Sequence, residues 1–100
     1  MILDGDFVIG RKPSASEDVS AGHARPIEVP AEHTAVSRLH AEIRVDGWNV
    51  WAYDLGSANG TYYLPASASQ WIRMEPHQPV AIVSGTTLTL GGFELIFEAV

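Results

Sequence analysis

The fold is decided by residues 41–54, whose sequence is AEIRVDGWNVWAYD. In the first five residues, apolar side chains alternate with Glu42 and Arg44, a pattern typical of a strand with one buried face. Asp46 and Gly47 follow, a pair typical of a tight hairpin turn. The run after the turn has apolar side chains on both faces, which predicts a second strand covered on both sides. This stretch therefore predicts a β-hairpin at the centre of a sheet.

Outward from this hairpin, the chain continues as short strand-like runs separated by turns. Residues 86–90 and 93–99 flank Gly91-Gly92, and two glycines between β-rich runs predict another hairpin. No segment has a sustained helical stripe, so short strands with frequent turns favour a β-sandwich or barrel. Weaker strands are predicted at residues 7–10, 27–29, 61–64, 71–74 and 80–83. Residues 13–25 and 65–69 are polar and strand-poor, and they are predicted to be surface loops.

Length, charge and cysteine usage limit the possible functions. One hundred residues, 46% of them hydrophobic, suggest one domain with one core, residues 1–100. The formal net charge of -6 argues against nonspecific nucleic-acid binding. With no cysteine, a disulfide scaffold and a thiolate metal site are excluded. The sequence has no run of about 18 apolar residues, so no membrane-spanning segment is predicted. We expect a cytoplasmic domain that is a piece of a longer protein.

Three separated segments stand out as possible binding loops. Gly10-Arg11 ends the first clear strand, residues 36–40 (VSRLH) precede the strand at Ala41, and residues 55–61 (LGSANGT) follow the tryptophan-rich strand. Each segment alone is common turn chemistry. In this order across an all-β chain, however, they resemble the forkhead-associated (FHA) domain family. The strings VSRLHAEI, DLGSANGT and PVAIVSGTTLTLGGFELIF carry a resemblance that extends over residues 7–98.

The resemblance implies an FHA-type β-sandwich whose loops at one end bind phosphothreonine peptides. We expect about ten or eleven short, mostly antiparallel strands. Two departures from the family pattern concern the strand count and the loop shape. The usual first strand is missing or confined to residues 1–3, and the stretch between Arg11 and Ser37 is longer than usual.

The chemistry of phosphate explains why these loops would bind it. A phosphothreonine carries about -1.5 to -2 charges at neutral pH and three acceptor oxygens. The guanidinium of Arg11 offers a planar fork of N–H donors that matches two of those oxygens. Ser37 offers a short hydroxyl donor, and Arg38 offers a second positive charge. The resemblance implies that Arg11 and Ser37 are the primary phosphate contacts and Arg38 a supporting one.

The remaining motif residues are predicted to bind the peptide backbone or to support the loops. The Asn59 amide has both donors and an acceptor, so it can pair with an extended peptide main chain. Gly60 allows positive φ beside it, and both are expected to contact the peptide backbone. The resemblance implies that Gly10, His40 and Thr61 support the site without touching phosphate.

The predicted function is a phosphothreonine-dependent binding module without catalysis, metal or cofactor. Its partner would be a phosphorylated protein or peptide, or a phosphorylated segment of the parent chain, and not nucleic acid. Ser37 and His40 could be imagined as a nucleophile and its base, but catalytic triads are defined by geometry and not by spacing. The four histidines are widely spaced and have no cysteine partners, which argues against a metal site. A module on the same fold that binds its partner independently of phosphate remains the alternative.

Overall fold

The computed structural model describes residues 5–98, which form two β-sheets. One sheet has five strands in the order β2-β1-β3-β4-β7, and the other has four in the order β6-β5-β8-β9. The predicted all-β sandwich is confirmed, and within residues 5–98 it contains nine strands. A first strand in residues 1–3 lies outside the described residues. The strands are β1 Phe7–Gly10, β2 Arg25–Glu28, β3 Ala41–Asp46, β4 Asn49–Asp54, β5 Thr61–Leu64, β6 Ile72–Arg73, β7 Val80–Ala81, β8 Thr87–Leu90 and β9 Phe93–Ile96.

The central hairpin predicted from residues 41–54 is present as β3 and β4. The two strands pair antiparallel from Ala41 opposite Asp54 to Asp46 opposite Asn49. Trp48 was expected in the strand, but it lies in the turn and is fully exposed. β4 lies between β3 and β7, the central position that its two partly apolar faces predict.

The core lies between the two sheets and combines inward side chains of the strands with apolar side chains from the segments that flank them. Ile9, Ile43 and Leu90 are each at most 2% exposed, and they come from three different strands. Ala41 and Ile43 in β3 are buried as the predicted alternation requires, but Glu42 on the opposite face is also only 7% exposed. The other members of this cluster are Val29, Val36, Ala41, Ala52, Met74, Ile82, Leu88 and Phe97.

The segment 13–25, predicted to be a surface loop, contains two short helical elements. It contains a 3₁₀ turn, Pro13–Ala15, and one turn of α-helix, α1, Glu17–Ser20. Proline suits the first position of a helix because its missing N–H would be unpaired there. The acidic residues of α1 lie in its first turn, where the helix dipole favours them. A single helical turn has no repeated apolar stripe, so the periodicity gave no signal for it.

The strand β2 begins two residues earlier than predicted because it is held by a parallel neighbour. Phe7 pairs with Arg25 and Gly10 with Glu28, which extends the pairing over the whole of β1. β1 in turn pairs antiparallel with β3. β6 and β7 are shorter than predicted, with two residues each.

The strand directions give the sandwich two distinct ends. β1 and β4 finish, and β3 and β5 begin, at the end that we call the loop end. Large exposed apolar side chains lie toward the opposite end, at the β3–β4 turn, after β7 and at the end of β9: Trp48, Val83 and Ile96. No helix within residues 5–98 has the length and apolar character needed to cross a bilayer.

We expect Ile43→Ala to lower the free energy of unfolding by about 2–5 kcal/mol, because it removes buried methyl groups and leaves a cavity. Ile96→Ala is the matched control, since that side chain is 51% exposed, and it should change stability by no more than about 0.5 kcal/mol. Chemical denaturation of both variants measures the difference. Equal losses in the two would contradict the assignment of the core.

Candidate functional site

Three loops meet at the loop end and are joined by hydrogen bonds. They follow β1, precede β3 and connect β4 with β5, and we call them the first, second and third site loops. They comprise residues 10–12, 35–40 and 55–60 respectively. Every phosphate-contacting or backbone-contacting residue predicted from the sequence lies on one of them. The structure therefore brings together segments that are about 25 residues apart in the chain.

Arg11 is fixed against the second site loop through its backbone and its side chain. Its N–H donates to the carbonyl of Ser37 at 3.2 Å, and the N–H of Lys12 donates to the carbonyl of Arg38 at 3.1 Å. The Arg11 Nε–H donates to the carbonyl of Val36 at 2.5 Å. Because a guanidinium has five N–H donors, this bond orients the group and leaves the terminal nitrogens for a ligand.

Gly10 is required by the close approach of these two loops. A Cβ at this position would lie 1.9 Å from the carbonyl oxygen of Arg38 and 3.0 Å from that of Ser37. Any side chain would therefore push the first and second site loops apart. The glycine allows the backbones to approach this closely, which is one of its uses in proteins.

The hydroxyl of Ser37 is positioned by the third site loop. The N–H of Ala58 donates to Ser37 Oγ at 3.0 Å. A serine hydroxyl has one donor and two acceptor positions, so this bond occupies an acceptor position and leaves the O–H free to donate. Ser37 is half-buried and Arg38 is exposed, so both can reach a ligand from solvent.

His40 joins the second and third site loops from below and is 0% exposed. The N–H of Ser37 donates to its Nδ1 at 3.0 Å, and its Nε2 lies 2.9 Å from the carbonyl of Gly60. Nδ1 must therefore be the acceptor, and Nε2 carries the hydrogen that it donates to Gly60. Burial lowers the pKa of His40, although the Gly60 carbonyl and the charge of Asp54 oppose this effect. The imidazole is thus neutral and holds both loops.

Asn59 is exposed at the tip of the third site loop, and Gly60 beside it is buried. The Asn59 Nδ2 donates to the carbonyl of Ala35 at 2.8 Å, which ties this loop again to the second. One amide has two N–H donors and an acceptor oxygen, so it retains capacity for a peptide. Gly60 has a φ of 82°, a conformation that residues with a side chain rarely adopt.

Asp54 organises the third site loop and was not singled out from the sequence. It is 1% exposed, and its Oδ2 accepts the N–H groups of Gly56 and Ser57, both at 3.1 Å. Its Oδ1 accepts the hydroxyls of Ser57 at 2.5 Å and Thr61 at 2.7 Å. The sequence signal for this role is an aspartate two residues before a glycine. Aspartate side chains commonly accept hydrogen bonds from the backbone of the turn that follows them.

Arg73 is the second residue that the sequence analysis missed. Its guanidinium lies beside Gly60, where a Cβ would be 3.3 Å from Nε and Nη2. The proximity arises because β6 pairs with β5, which places Arg73 opposite Tyr62. Arg73 is 62 residues beyond Arg11 in the sequence, so no local motif could reveal its place beside the site.

The placement of the three site loops at one end of the sandwich agrees with the family to which the chain is similar. The model of the FHA domain matches residues 7–91 of this chain. The match includes all three site loops and eight of the nine strands described. The chain belongs to the FHA domain family, as its three loop motifs predicted, and this family consists of binding modules.

The relatives with established names are bacterial regulators. The glycogen accumulation regulator GarA of Mycolicibacterium smegmatis is 30% identical over 98 residues, which is 91% of this chain and 56% of GarA. The oxoglutarate dehydrogenase inhibitor of Corynebacterium glutamicum is 30% identical over 100 residues, 93% of this chain and 64% of the inhibitor. This chain therefore spans somewhat more than half the length of these relatives.

Solved FHA domains share the fold. The FhaA FHA domain complexed with the intracellular domain of Rv3910 is 31% identical with a TM-score of 0.62, covering 96% of this chain and 82% of that one. A second FHA structure, from a structural and functional study of phosphothreonine-dependent FHA interactions, is 31% identical. Its TM-score is 0.57, and it covers 94% of this chain and 76% of its own.

We expect the stability of the domain to fall as the pH drops below about 6.5, the pKa of an unfolded histidine. Below this pH the unfolded chain takes up a proton at His40, whereas the buried imidazole of the folded chain resists protonation because its pKa is lowered. The stabilisation that comes from the neutral imidazole is therefore complete above the unfolded pKa, and it is lost as the pH falls toward the folded pKa. Denaturation curves at pH 7.5, 6.5 and 5.5 measure it. His40→Gln should be less stable at pH 7.5 and should lose less stability on acidification.

The control for this experiment is His23→Gln, because His23 is exposed and lies outside the site loops. Its pH dependence should follow that of the parent domain. A His40→Gln variant with the full pH dependence of the parent would contradict the role given to the buried imidazole.

Proposed function

We propose that this domain binds phosphothreonine in extended peptide segments and performs no chemistry on them. It would convert phosphorylation by a kinase into association, either with a phosphorylated partner protein or with a phosphorylated segment of the parent chain. The solved complex of an FHA domain with the intracellular domain of Rv3910, and the phosphothreonine-dependent interactions of another FHA domain, support this ligand class.

One observation carries the proposal: the Arg11 guanidinium and the Ser37 hydroxyl lie on loops bonded to each other, with donors left over. Arg11 N–H bonds Ser37 O, and Ala58 N–H occupies an acceptor position of Ser37 Oγ. The free hydroxyl hydrogen and the terminal guanidinium nitrogens are suited to adjacent phosphate oxygens, because ionised acceptors form the stronger hydrogen bonds. Arg38, next to Ser37 in the chain and exposed, adds positive charge to the second site loop.

The hydrogen bonds of His40 support a binding role and argue against a catalytic one. A general base must accept the proton of its nucleophile, but His40 Nδ1 accepts from the backbone N–H of Ser37. Its other nitrogen faces the carbonyl of Gly60. The imidazole therefore has no free nitrogen for the Ser37 hydroxyl, and the pair fixes a loop instead of activating a nucleophile.

Threonine would be distinguished from serine by its methyl group. Burying one methyl contributes about 0.8 kcal/mol, which is a factor of about four in affinity. The stiffer β-branched side chain adds to this preference because less rotamer freedom is lost on binding. The segments beside Ser37 and Asn59 are the proposed walls of the methyl pocket.

The first test titrates the domain with one peptide in phosphothreonine, phosphoserine and unmodified forms, by isothermal titration calorimetry. We expect the phosphothreonine form to bind at least about fourfold more tightly than the phosphoserine form, and the unmodified form to show no measurable binding. Equal binding of the modified and unmodified forms would contradict the proposal and favour a module that recognises its partner independently of phosphate.

The second test removes the two proposed phosphate contacts separately. Ser37→Ala should weaken phosphothreonine binding by about 1.5–3 kcal/mol, the contribution of a hydrogen bond to a charged group. Arg11→Lys keeps the charge but loses the planar fork, and it should also weaken binding. Arg25→Ala is the control for net charge, because Arg25 pairs with Phe7 at the start of β1, away from the loop end.

Thermal melting must accompany these titrations, since Ser37 also bonds Ala58 within the site. A Ser37→Ala variant that melts like the parent domain and still binds with full affinity would exclude Ser37 as a phosphate contact. The same outcome for Arg11→Lys would exclude recognition through the guanidinium fork.

A further inference from the structure

The outer face of the four-stranded sheet carries a row of side chains with opposite charges at its two ends. Leu88, Leu90 and Leu95 belong to the core or pack against it. Because side chains alternate along a strand, the positions between them point away from the core. Cross-strand pairing aligns these outward positions. The row nearer the loop end, which we call the charged row, runs across the four strands as Arg73, Tyr62, Thr89 and Glu94.

A second row on the same face is mainly apolar. It runs through Leu64, Thr87 and Ile96, which the pairing of β5, β8 and β9 places side by side. Trp71 directly precedes β6, and the antiparallel pairing of β6 with β5 places it next to Leu64. We call these four residues the apolar row. Trp71 is 42% exposed and Ile96 is 51% exposed, so both ends of the apolar row present large hydrophobic side chains to solvent.

The corresponding face of the five-stranded sheet is covered by the chain itself. Val8 and Glu42 pair on that face, and they are only 2% and 7% exposed. Asp18 and His23, from the segment 13–25, line one pocket together with Glu42, so this segment lies over the sheet. The other outer face of the sandwich keeps its apolar row at the surface. Contiguous exposed apolar residues that are rimmed by polar ones mark interaction sites.

The two ends of the charged row determine which partner fits this face. Arg73 lies on the edge strand β6 and Glu94 on the opposite edge strand β9, and both are exposed. In the part of the chain that the structure describes, neither forms an ion pair. A half-turn about an axis parallel to the strands, between β5 and β8, places β9 of a second copy over β6 of the first. Each Arg73 then faces Glu94 of the other copy, so the face is complementary to itself.

We infer that the outer face of the four-stranded sheet is the interface of a homodimer with this two-fold symmetry. Contacts through the same patch on both subunits are the commonest form of association among soluble oligomers. In this arrangement Trp71 packs on Ile96 of the other copy, and tryptophan is among the residues that contribute most to protein interfaces. Two sheets that pack face to face lie about 10 Å apart with their strands nearly aligned, which is the geometry that this axis produces.

The dimer is expected to be weak because the interface is small. Four strands about 4.8 Å apart give a face about 14 Å wide, and the paired strands carry the charged row and the apolar row on it. Such a face belongs to the class of interfaces that bury less than about 1,200 Å² in total. We therefore expect a dissociation constant of about 0.1 mM.

Dimerisation leaves the candidate phosphothreonine sites accessible. Because the axis is parallel to the strands, the loop ends of both copies lie at the same end of the dimer and outside its interface. The inference therefore goes beyond the proposed function and does not rest on it.

Sedimentation velocity of the domain, without peptide and at concentrations from about 10 μM to about 1 mM, tests the inference. The weight-average sedimentation coefficient of the parent should rise from the monomer value toward the dimer value. Arg73→Glu and Glu94→Arg each place like charges opposite each other at both symmetric positions, so each should weaken association at least about tenfold. The double variant with both substitutions restores opposite charges and should associate like the parent.

The matched controls are Arg25→Glu and Glu28→Arg, which make the same changes of charge on β2 of the other sheet. Both should dimerise like the parent, and thermal melting verifies that every variant is folded. Trp71→Ala truncates the apolar row, and it should weaken association about as strongly as a single charge reversal.

A parent domain that remains monomeric at about 1 mM would overturn the inference. Folded single reversals that associate as tightly as the controls would also overturn it, as would a folded double variant that fails to regain association. Since no phosphopeptide is present, a failure of the proposed function would leave these results unchanged, and a failure to dimerise would leave phosphothreonine binding unchanged.

Discussion

The arrangement of the loop end depends on one buried imidazole that bonds two loops. His40 accepts from the backbone of Ser37 and lies against the carbonyl of Gly60, so this one buried side chain contacts both the second and the third site loop. Two further hydrogen bonds nearer the surface join the same loops. His40 makes its contacts only as the neutral imidazole, because a proton on Nδ1 would face the N–H of Ser37. Burial of His40 lowers its pKa and so keeps the imidazole in the neutral form that both hydrogen bonds require.

The fold and the motif residues could largely be predicted from the sequence, because both follow from local patterns. Alternation in residues 41–45 predicted β3, and three short motifs predicted loops that the structure places together. Asp54 and Arg73 were missed because their importance arises from tertiary placement: Asp54 becomes a hub through burial, and Arg73 approaches Gly60 only through strand pairing. The one-turn α1 was missed because a single helical turn has no periodicity to detect.

The distribution of charge explains how an acidic domain can attract a phosphate. Six cations oppose twelve acidic residues in the sequence, yet Arg11, Lys12, Arg38 and Arg73 all lie at or beside the site loops. Within residues 5–98 none of these four is paired with a carboxylate. The net charge repels polyanions in general, whereas this local concentration favours a single anionic group at one end.

The hydrogen bonds between the site loops also bear on the kinetics of recognition. Arg11, Ser37 and Asn59 are each bonded to a neighbouring loop within the folded domain, so little ordering remains for a ligand to impose. Complexes between preformed surfaces associate at similar rates and differ chiefly in how long they persist. Competing phosphorylated segments would therefore differ mainly in residence time. The longest-lived complex would be the one whose side chains beside the phosphothreonine fit the site loops best.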